Sequence, residues 1–141
     1  MVVACLAWCP KPCGERLSPP DEHNRILLQT NCLLLEQSGT KVLVEAGCGD
    51  KWSEKERGIY AIENKTVVDA LQEHNVDPSE IAHVVISHLH FDHAGGLTRL
   101  IDGKPVSCFP NAKVHVQHQE WKDANENRAV MTRTYLPTHL E

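Results

Sequence analysis

The sequence predicts a mixed α/β fold of the α+β kind. Three observations predict it: apolar runs of strand length closed by turn residues, a segment with helical spacing set between two of those runs, and a continuous β-branched strand that delivers the chain into a cluster of histidines. The 141 residues are 41% apolar, 23% charged and 5% aromatic, an ordinary globular composition rather than a disordered or fibrous one. A domain of about 150 residues buries roughly 70% of its extended-chain surface, so a real core is within reach. With so few aromatic side chains, that core has to be packed from Val, Leu, Ile and Ala.

Taken in order, residues 1–25 carry Pro10, Pro12, Pro19 and Pro20 among mixed charges and read as an irregular N-terminal arm. The domain proper is expected to run from residue 26 to 141. Ile26-Leu27-Leu28, Cys32-Leu33-Leu34-Leu35, a Ser38-Gly39 turn and Val42-Leu43-Val44 read as a β-hairpin of two largely buried strands, ending in the loop Ala46-Gly47-Cys48-Gly49-Asp50. Val67, Val68 and Leu71 have helical spacing up to His74, with Asn64 or Thr66 available as N-cap. A turn at Asp77-Pro78-Ser79-Glu80 then leads to the strand His83-Val84-Val85-Ile86-Ser87. Beyond Gly95-Gly96 the spacing predicts a short helix from Leu97 to Leu100, a turn at Asp102-Gly103 and a strand near Val106 to Phe109. After a Pro110-Asn111 turn come a strand from Lys113 to Gln117 and a polar helix from Gln119 to Glu126.

Charge and cysteine usage narrow the partners. Nineteen acidic against 14 basic side chains give a net charge of −5, with the signs interspersed, which disfavours nucleic acid. No run of 18 apolar residues suggests a membrane span, and Val2 to Trp8 is too short and lacks the basic flank of a secretory signal. A cytoplasmic location is therefore expected, and with it six reduced cysteines: Cys5, Cys9, Cys13, Cys32, Cys48 and Cys108. The four-residue spacing of the first three is not that of a zinc knuckle, and Pro10 and Pro12 interrupt any helix that would align them.

Nine histidines are the unusual part of the composition, and His88, His90, Asp92 and His93 crowd into one short stretch. His88 and His90 are two apart, so they share a side of an extended segment but not of a helix. Asp92 continues that series and His93 points elsewhere. One pair can thus serve one metal and the adjacent pair another, as in centres where two ions lie about 3.5–4 Å apart. Imidazole and carboxylate suit zinc, and also iron, manganese or cobalt. A divalent ion lowers the pKa of bound water from about 15.7 towards 7, so hydrolysis by a metal-bound hydroxide is the natural chemistry. Gly95 and Gly96 let the next segment approach closely, and a helix starting there would aim N–H groups at an anionic substrate group.

The string Ser87-His88-Leu89-His90-Phe91-Asp92-His93-Ala94-Gly95-Gly96 resembles the H-x-H-x-D-H signature of the metallo-β-lactamase fold superfamily, closest to the lactonase-like branch that includes quorum-quenching acyl-homoserine lactonases. Similarity extends, less specifically, from Ile26 to Leu136. The resemblance implies an αββα sandwich with a dinuclear centre at one edge of two facing sheets. It implies His88 and His90 on the first ion, Asp92 and His93 on the second, and Asp92 as the catalytic carboxylate that also orients the bridging hydroxide. His90, where flavodiiron relatives carry glutamate, favours a hydrolase. His93, which classical β-lactamases of the commonest class lack, points to a lactonase or glyoxalase II style of site.

Two departures accompany the match. Asp-Thr-Gly or Asp-Ser-Gly usually follows the second strand in this family; Glu45-Ala46-Gly47 stands here, with a longer acid, no hydroxyl and, by implication, weaker outer support of the metal loop. The family also completes its site with a histidine, an aspartate and a last histidine downstream, and His115, His118 and His139 read instead as solvated or packed. The chain is accordingly expected to be the N-terminal half of such a domain, its C-terminal half absent and its open sheet face a possible homo-oligomer contact. Ser87 lies in no nucleophile elbow and is expected to bond to backbone. Trp52 and Tyr60 are candidates for lining a pocket or packing, and Trp121 for a core anchor. The leading function is a dinuclear metal hydrolase of a lactone, ester or thioester, a small-molecule substrate. Its rivals are a non-catalytic truncated relative and a mononuclear iron oxygenase using the same ligand string, while a nuclease fits an acidic chain less well.

Overall fold

The computed structural model describes residues 2–4, 18–63, 65–126 and 134–136. The chain divides into two compact units, residues 1–30 with 52–64, and residues 31–51 with 65–141. Among the described residues, no helix is long and apolar enough to cross a membrane.

In the first unit, β1 (Val2–Ala4) pairs antiparallel with β2 (Ile26–Leu28), Val2 opposite Leu28. Part of the stretch expected to be irregular is therefore a strand, and Ile26–Leu28 pairs with it rather than with the following hairpin. The turn before β2 is tied by Asp21, whose carboxylate accepts from the Arg25 amide at 2.9 Å and its Nε at 2.8 Å. Helix α1 (Glu54–Tyr60) begins in a reciprocal capping box between Ser53 and Glu56. Trp52 is buried and meets Tyr60 edge-on, ring centroids 5.9 Å apart.

The second unit is built on a mixed four-stranded sheet. β3 (Leu33–Gln37) and β4 (Thr40–Val44) form the expected antiparallel hairpin around Ser38-Gly39. β5 (Ile81–Val85) lies parallel to β4, and β8 (Lys113–His115) parallel to β5. Strand alternation sorts the side chains into two faces. Leu43 and Val84 point into a core with Val68 and Leu71 of α2 (Val67–Glu73), whose N-terminus is a capping box of Thr66 and Asp69. The opposite face carries Leu33 and Leu35, 56% and 50% exposed, together with Val85. The expectation of two buried hairpin strands fails for β3 because it is the sheet edge with only one apolar row covered.

After the metal loop, the helix expected from Leu97 to Leu100 is absent. A 3-10 turn (Gly95–Leu97) leads instead into β6 (Thr98–Ile101), paired antiparallel with β7 (Lys104–Ser107). The reason lies in the turn between them: Asp102 and Gly103 both hold positive φ, 51° and 76°, the geometry that matches the twist of a two-residue hairpin. Helix α4 (His118–Glu126) buries Ala124, but Trp121 is 47% exposed and does not anchor the core. Tyr135, 2% exposed, fills that place.

Candidate metal centre

β5 hands the chain to the histidine string with its backbone held on both sides. The Glu45 amide donates to the Val85 carbonyl and the Ile86 amide to that of His115, each at 2.9 Å. The chain stays extended as far as His90 (φ −64°, ψ 153°), which is the N-cap residue of a four-residue helical turn, α3 (Phe91–Ala94). The strand-like alternation expected to place Asp92 beside both histidines is thus broken after His90, and Asp92 and His93 sit on the turn.

That change of conformation decides which groups meet. One ligand atom each from His88, Asp92 and His93 lies within 4.8 Å of the others, all three residues half-buried. The His88 and His93 rings are 3.9 Å apart between centroids, and His93 Nε2 is 3.5 Å from Asp92 Oδ2. His90 stands beside this trio rather than in it, its ring edge-on to His88 at 4.6 Å and to Tyr135 at 4.8 Å. Burial, and then the neighbouring His88, lower the pKa of His90 and favour its neutral form.

The glycines after the helical turn have a packing reason. A Cβ on Gly95 would lie 2.3 Å from the Cys48 carbonyl oxygen, and one on Gly96 2.1 Å from that of Ala46. Backbone rests on backbone here, joined by Ala46 N–H to the His93 carbonyl (2.9 Å) and Gly96 N–H to the Gly47 carbonyl (3.0 Å). The amide of Gly95 caps the Phe91 carbonyl. These two N–H groups are therefore engaged, and the expected anion-binding helix entry at 95–96 is not formed. Lys51 adds a further tie, its Nζ donating to the carbonyls of Gly95 (2.6 Å) and Thr98 (2.5 Å); burial lowers its pKa.

Glu45 supports the loop more fully than its departure from the aspartate pattern implied. Its Oε1 accepts the Ser87 amide at 3.1 Å, and its Oε2 lies 3.2 Å from His93 Nδ1 without hydrogen-bond alignment. The extra methylene is accommodated by a left-handed backbone at Glu45, φ 67°. The Ser87 hydroxyl meets His88 Nδ1 at 3.0 Å, a side-chain contact where a backbone one was expected. With Nδ1 of both imidazoles so engaged, Nε2 is the atom left to bind an ion. Two imidazoles and a carboxylate, half-buried and backed by a second acid, fit a zinc-like ion.

The profile of the metallo-beta-lactamase superfamily matches residues 25–138. The chain belongs to the metallo-beta-lactamase superfamily. Among its relatives, an N-acyl homoserine lactonase of Bacillus thuringiensis is 28% identical over 120 residues, 77% of this chain and 44% of the relative. A crystal structure of a probable metal-dependent hydrolase from Staphylococcus aureus superposes with a TM-score of 0.83 at 29% identity, covering 94% of this chain and 48% of that one. An N-acyl homoserine lactone hydrolase, with N-hexanoyl-L-homoserine bound at its catalytic metal center, matches at TM-score 0.54 and 27% identity over 76% of this chain and 44% of that one. The chain thus spans less than half the length of these relatives. Its mixed sheet corresponds to roughly half of a metallo-beta-lactamase fold.

Two residues of this superfamily member escaped the reading of its sequence. Glu120 of α4 accepts the Leu89 amide at 2.7 Å and the Tyr135 hydroxyl at 2.9 Å, so one carboxylate oxygen ties the loop to both elements. Burial, and then the bond to Glu120, push the Tyr135 phenol up to about 12. Neither residue lies near the histidine string in sequence, and no spacing rule links them to it. His115 lies on β8 and His118 begins α4, apart from the trio, while His139 and Cys5, Cys9 and Cys13 lie outside the described residues. Cys48 is buried, and Cys32 and Cys108 are half-buried. Burial, and then the charge of Asp92, push Cys48 up to about 12, and burial, then Glu45, push Cys32 up to about 11. Protonated thiols of that kind are poor metal ligands.

Proposed function

We propose that this chain carries the first metal-binding segment of a hydrolase that opens a lactone or cleaves a related ester or thioester. The observation that carries the reading is the convergence of His88, Asp92 and His93 at the end of β5. The complement proposed is two divalent ions, zinc first, with iron, manganese or cobalt as substitutes; His88 and His90 serve one and Asp92 and His93 the other. Such ions supply a water whose pKa is lowered from about 15.7 towards 7, and with it a nucleophile at neutral pH.

The chain's own residues prepare that site. Ser87 and Glu45 occupy the Nδ1 sides of His88 and His93, which favours ring orientations that leave Nε2 towards an ion. Asp92 is the proposed catalytic residue, a carboxylate that would ligate and orient the attacking water. Glu120 and Tyr135 hold the loop from the side of α4 and keep its Leu89 amide satisfied where Leu89 is buried. The relatives' lactone chemistry supports the substrate class, and the acidic surface supports a small molecule over a polyanion.

Metal analysis and lactone hydrolysis test this together. Purified protein, free of any metal-binding tag, is expected to retain divalent metal that a His88→Ala, His93→Ala double variant loses. In the longest form of the protein, Asp92→Asn is expected to remove most lactone or ester hydrolysis while leaving the fold. Equal metal in both proteins would overturn the site, and turnover that survives Asp92→Asn or thorough chelation would overturn the reaction. Metal bound without turnover would leave a binding protein.

A further inference from the structure

We propose that His83 and His115 form a second, separate metal site on the open face of the four-stranded sheet, for a divalent transition ion that prefers nitrogen ligands at right angles. His83 is on β5 and His115 on the neighbouring β8, one step apart in register, since Val85 rather than His83 lies opposite His115. Both side chains emerge on the face that also carries Val85, Leu33 and Leu35. His83 is half-buried and His115 exposed, so water reaches the space beyond them. Neither residue belongs to the His88, Asp92 and His93 group.

The geometry is specific. His83 Nδ1 and His115 Nε2 are 2.9 Å apart, with ring centroids at 5.0 Å and planes inclined by 52°. Two imidazole nitrogens at that distance cannot both carry a hydrogen; they share either one proton or one cation. With metal–nitrogen bonds of about 2.0–2.1 Å, a separation of 2.9 Å subtends roughly 90° at the ion. A tetrahedral ion would need the nitrogens about 3.4 Å apart. The pair therefore favours tetragonal Cu(II) or Ni(II), which take right-angled nitrogen and water ligands, over Zn(II), and the general affinity order puts copper first.

The pair is also held ready. Parallel pairing sets His83 opposite Lys113 and Val85 opposite His115, and the Ile86 amide donates to the His115 carbonyl at 2.9 Å, so both backbones are fixed before any ion arrives. Little chain ordering is left to oppose binding. Among the described residues no third protein ligand joins the two, and water completes the coordination. An ion there would cross-link β5 to the strand at the sheet edge.

The test is titration of the metal-free 141-residue chain with Cu(II), Ni(II) and Zn(II) by calorimetry, with electron paramagnetic resonance of the copper form. The expected result, beside any ion held at the His88, Asp92 and His93 group, is one Cu(II) with two imidazole nitrogens that persists in the His88→Ala, His93→Ala variant, the background in which His83 and His115 are then substituted. It should weaken at least about tenfold in His83→Gln and in His115→Gln, and bind Zn(II) at least about tenfold less tightly. Copper affinity and nitrogen count unchanged in His83→Gln or His115→Gln would overturn the proposal, leaving a plain imidazole hydrogen bond. Should either variant fail to fold, sub-stoichiometric Cu(II) in the unsubstituted chain decides through histidine ring resonances. His83 and His115 should broaden before the exposed His74 and His118, and equal or later broadening overturns it.

Discussion

At the end of β4, Glu45 holds a left-handed backbone with φ 67°, a conformation that costs a non-glycine residue of order 1 kcal/mol. Its carboxylate offsets that strain by reaching Ser87 on one side and His93 on the other. Supporting groups of this kind typically change metal affinity by about 10–100-fold. Glu45→Gln, which keeps an acceptor for Ser87 but removes the charge behind His93, is expected to weaken metal binding at the lower end of that range, and Glu45→Ala at the upper end. Competition against a chelator measures both, and equal affinity in all three proteins would show the carboxylate idle. Tyr135 gives a pH dependence with a definite sign. Its pKa rises from 10.0 to about 12 on folding, so the folded chain holds the phenolic proton more tightly than the unfolded one. The contribution is complete below pH 10 and is lost as pH climbs towards 12. Alkaline unfolding followed by circular dichroism should show stability falling in that window, and Tyr135→Phe should flatten the fall; an identical slope in the variant would locate the titration elsewhere.

Helix α3 is only four residues long, yet it converts an extended segment into a site by turning Asp92 and His93 back towards His88. It is held in place by the segment 46–49 packed against Gly95 and Gly96 with no room for a side chain. Gly96→Ala is expected to cost at least about 1–3 kcal/mol, since the new methyl meets a carbonyl that is itself fixed by the core. Urea unfolding measures this, and a variant within about 0.5 kcal/mol of the parent would show that the two segments can part. The hairpin of β6 and β7 stands where a helix was expected. The spacing from Leu97 to Leu100 predicts a helix, and the Asp102-Gly103 turn that makes the segment a strand was visible as a turn but not as a hairpin without its pairing partner.

For the whole molecule, the open rows of Leu33, Leu35 and Val85 are the main physical liability, because exposed apolar side chains grouped on one sheet face favour association. The isolated 141-residue chain is expected to self-associate as its concentration rises, and Leu33→Lys with Leu35→Lys to reduce that association. Sedimentation measures it, and a strict monomer with the unsubstituted face would remove the argument.

Much of this protein could be read without coordinates. The H-x-H-x-D-H string, the hairpin around Ser38-Gly39, the helix capped at Thr66 and the strand leading to His88 are local patterns, and side-chain periodicity and turn chemistry act over a few residues. The family could be read for the same reason, since its signature is one continuous string. Contacts between distant segments were left to the tertiary structure. That β3 is an exposed edge, that Trp121 faces outward while Tyr135 takes the core, that Glu45 reaches His93 across the sheet and that His83 meets His115 all depend on which strands become neighbours. Strand order is settled by packing the whole core at once, and no local spacing records it.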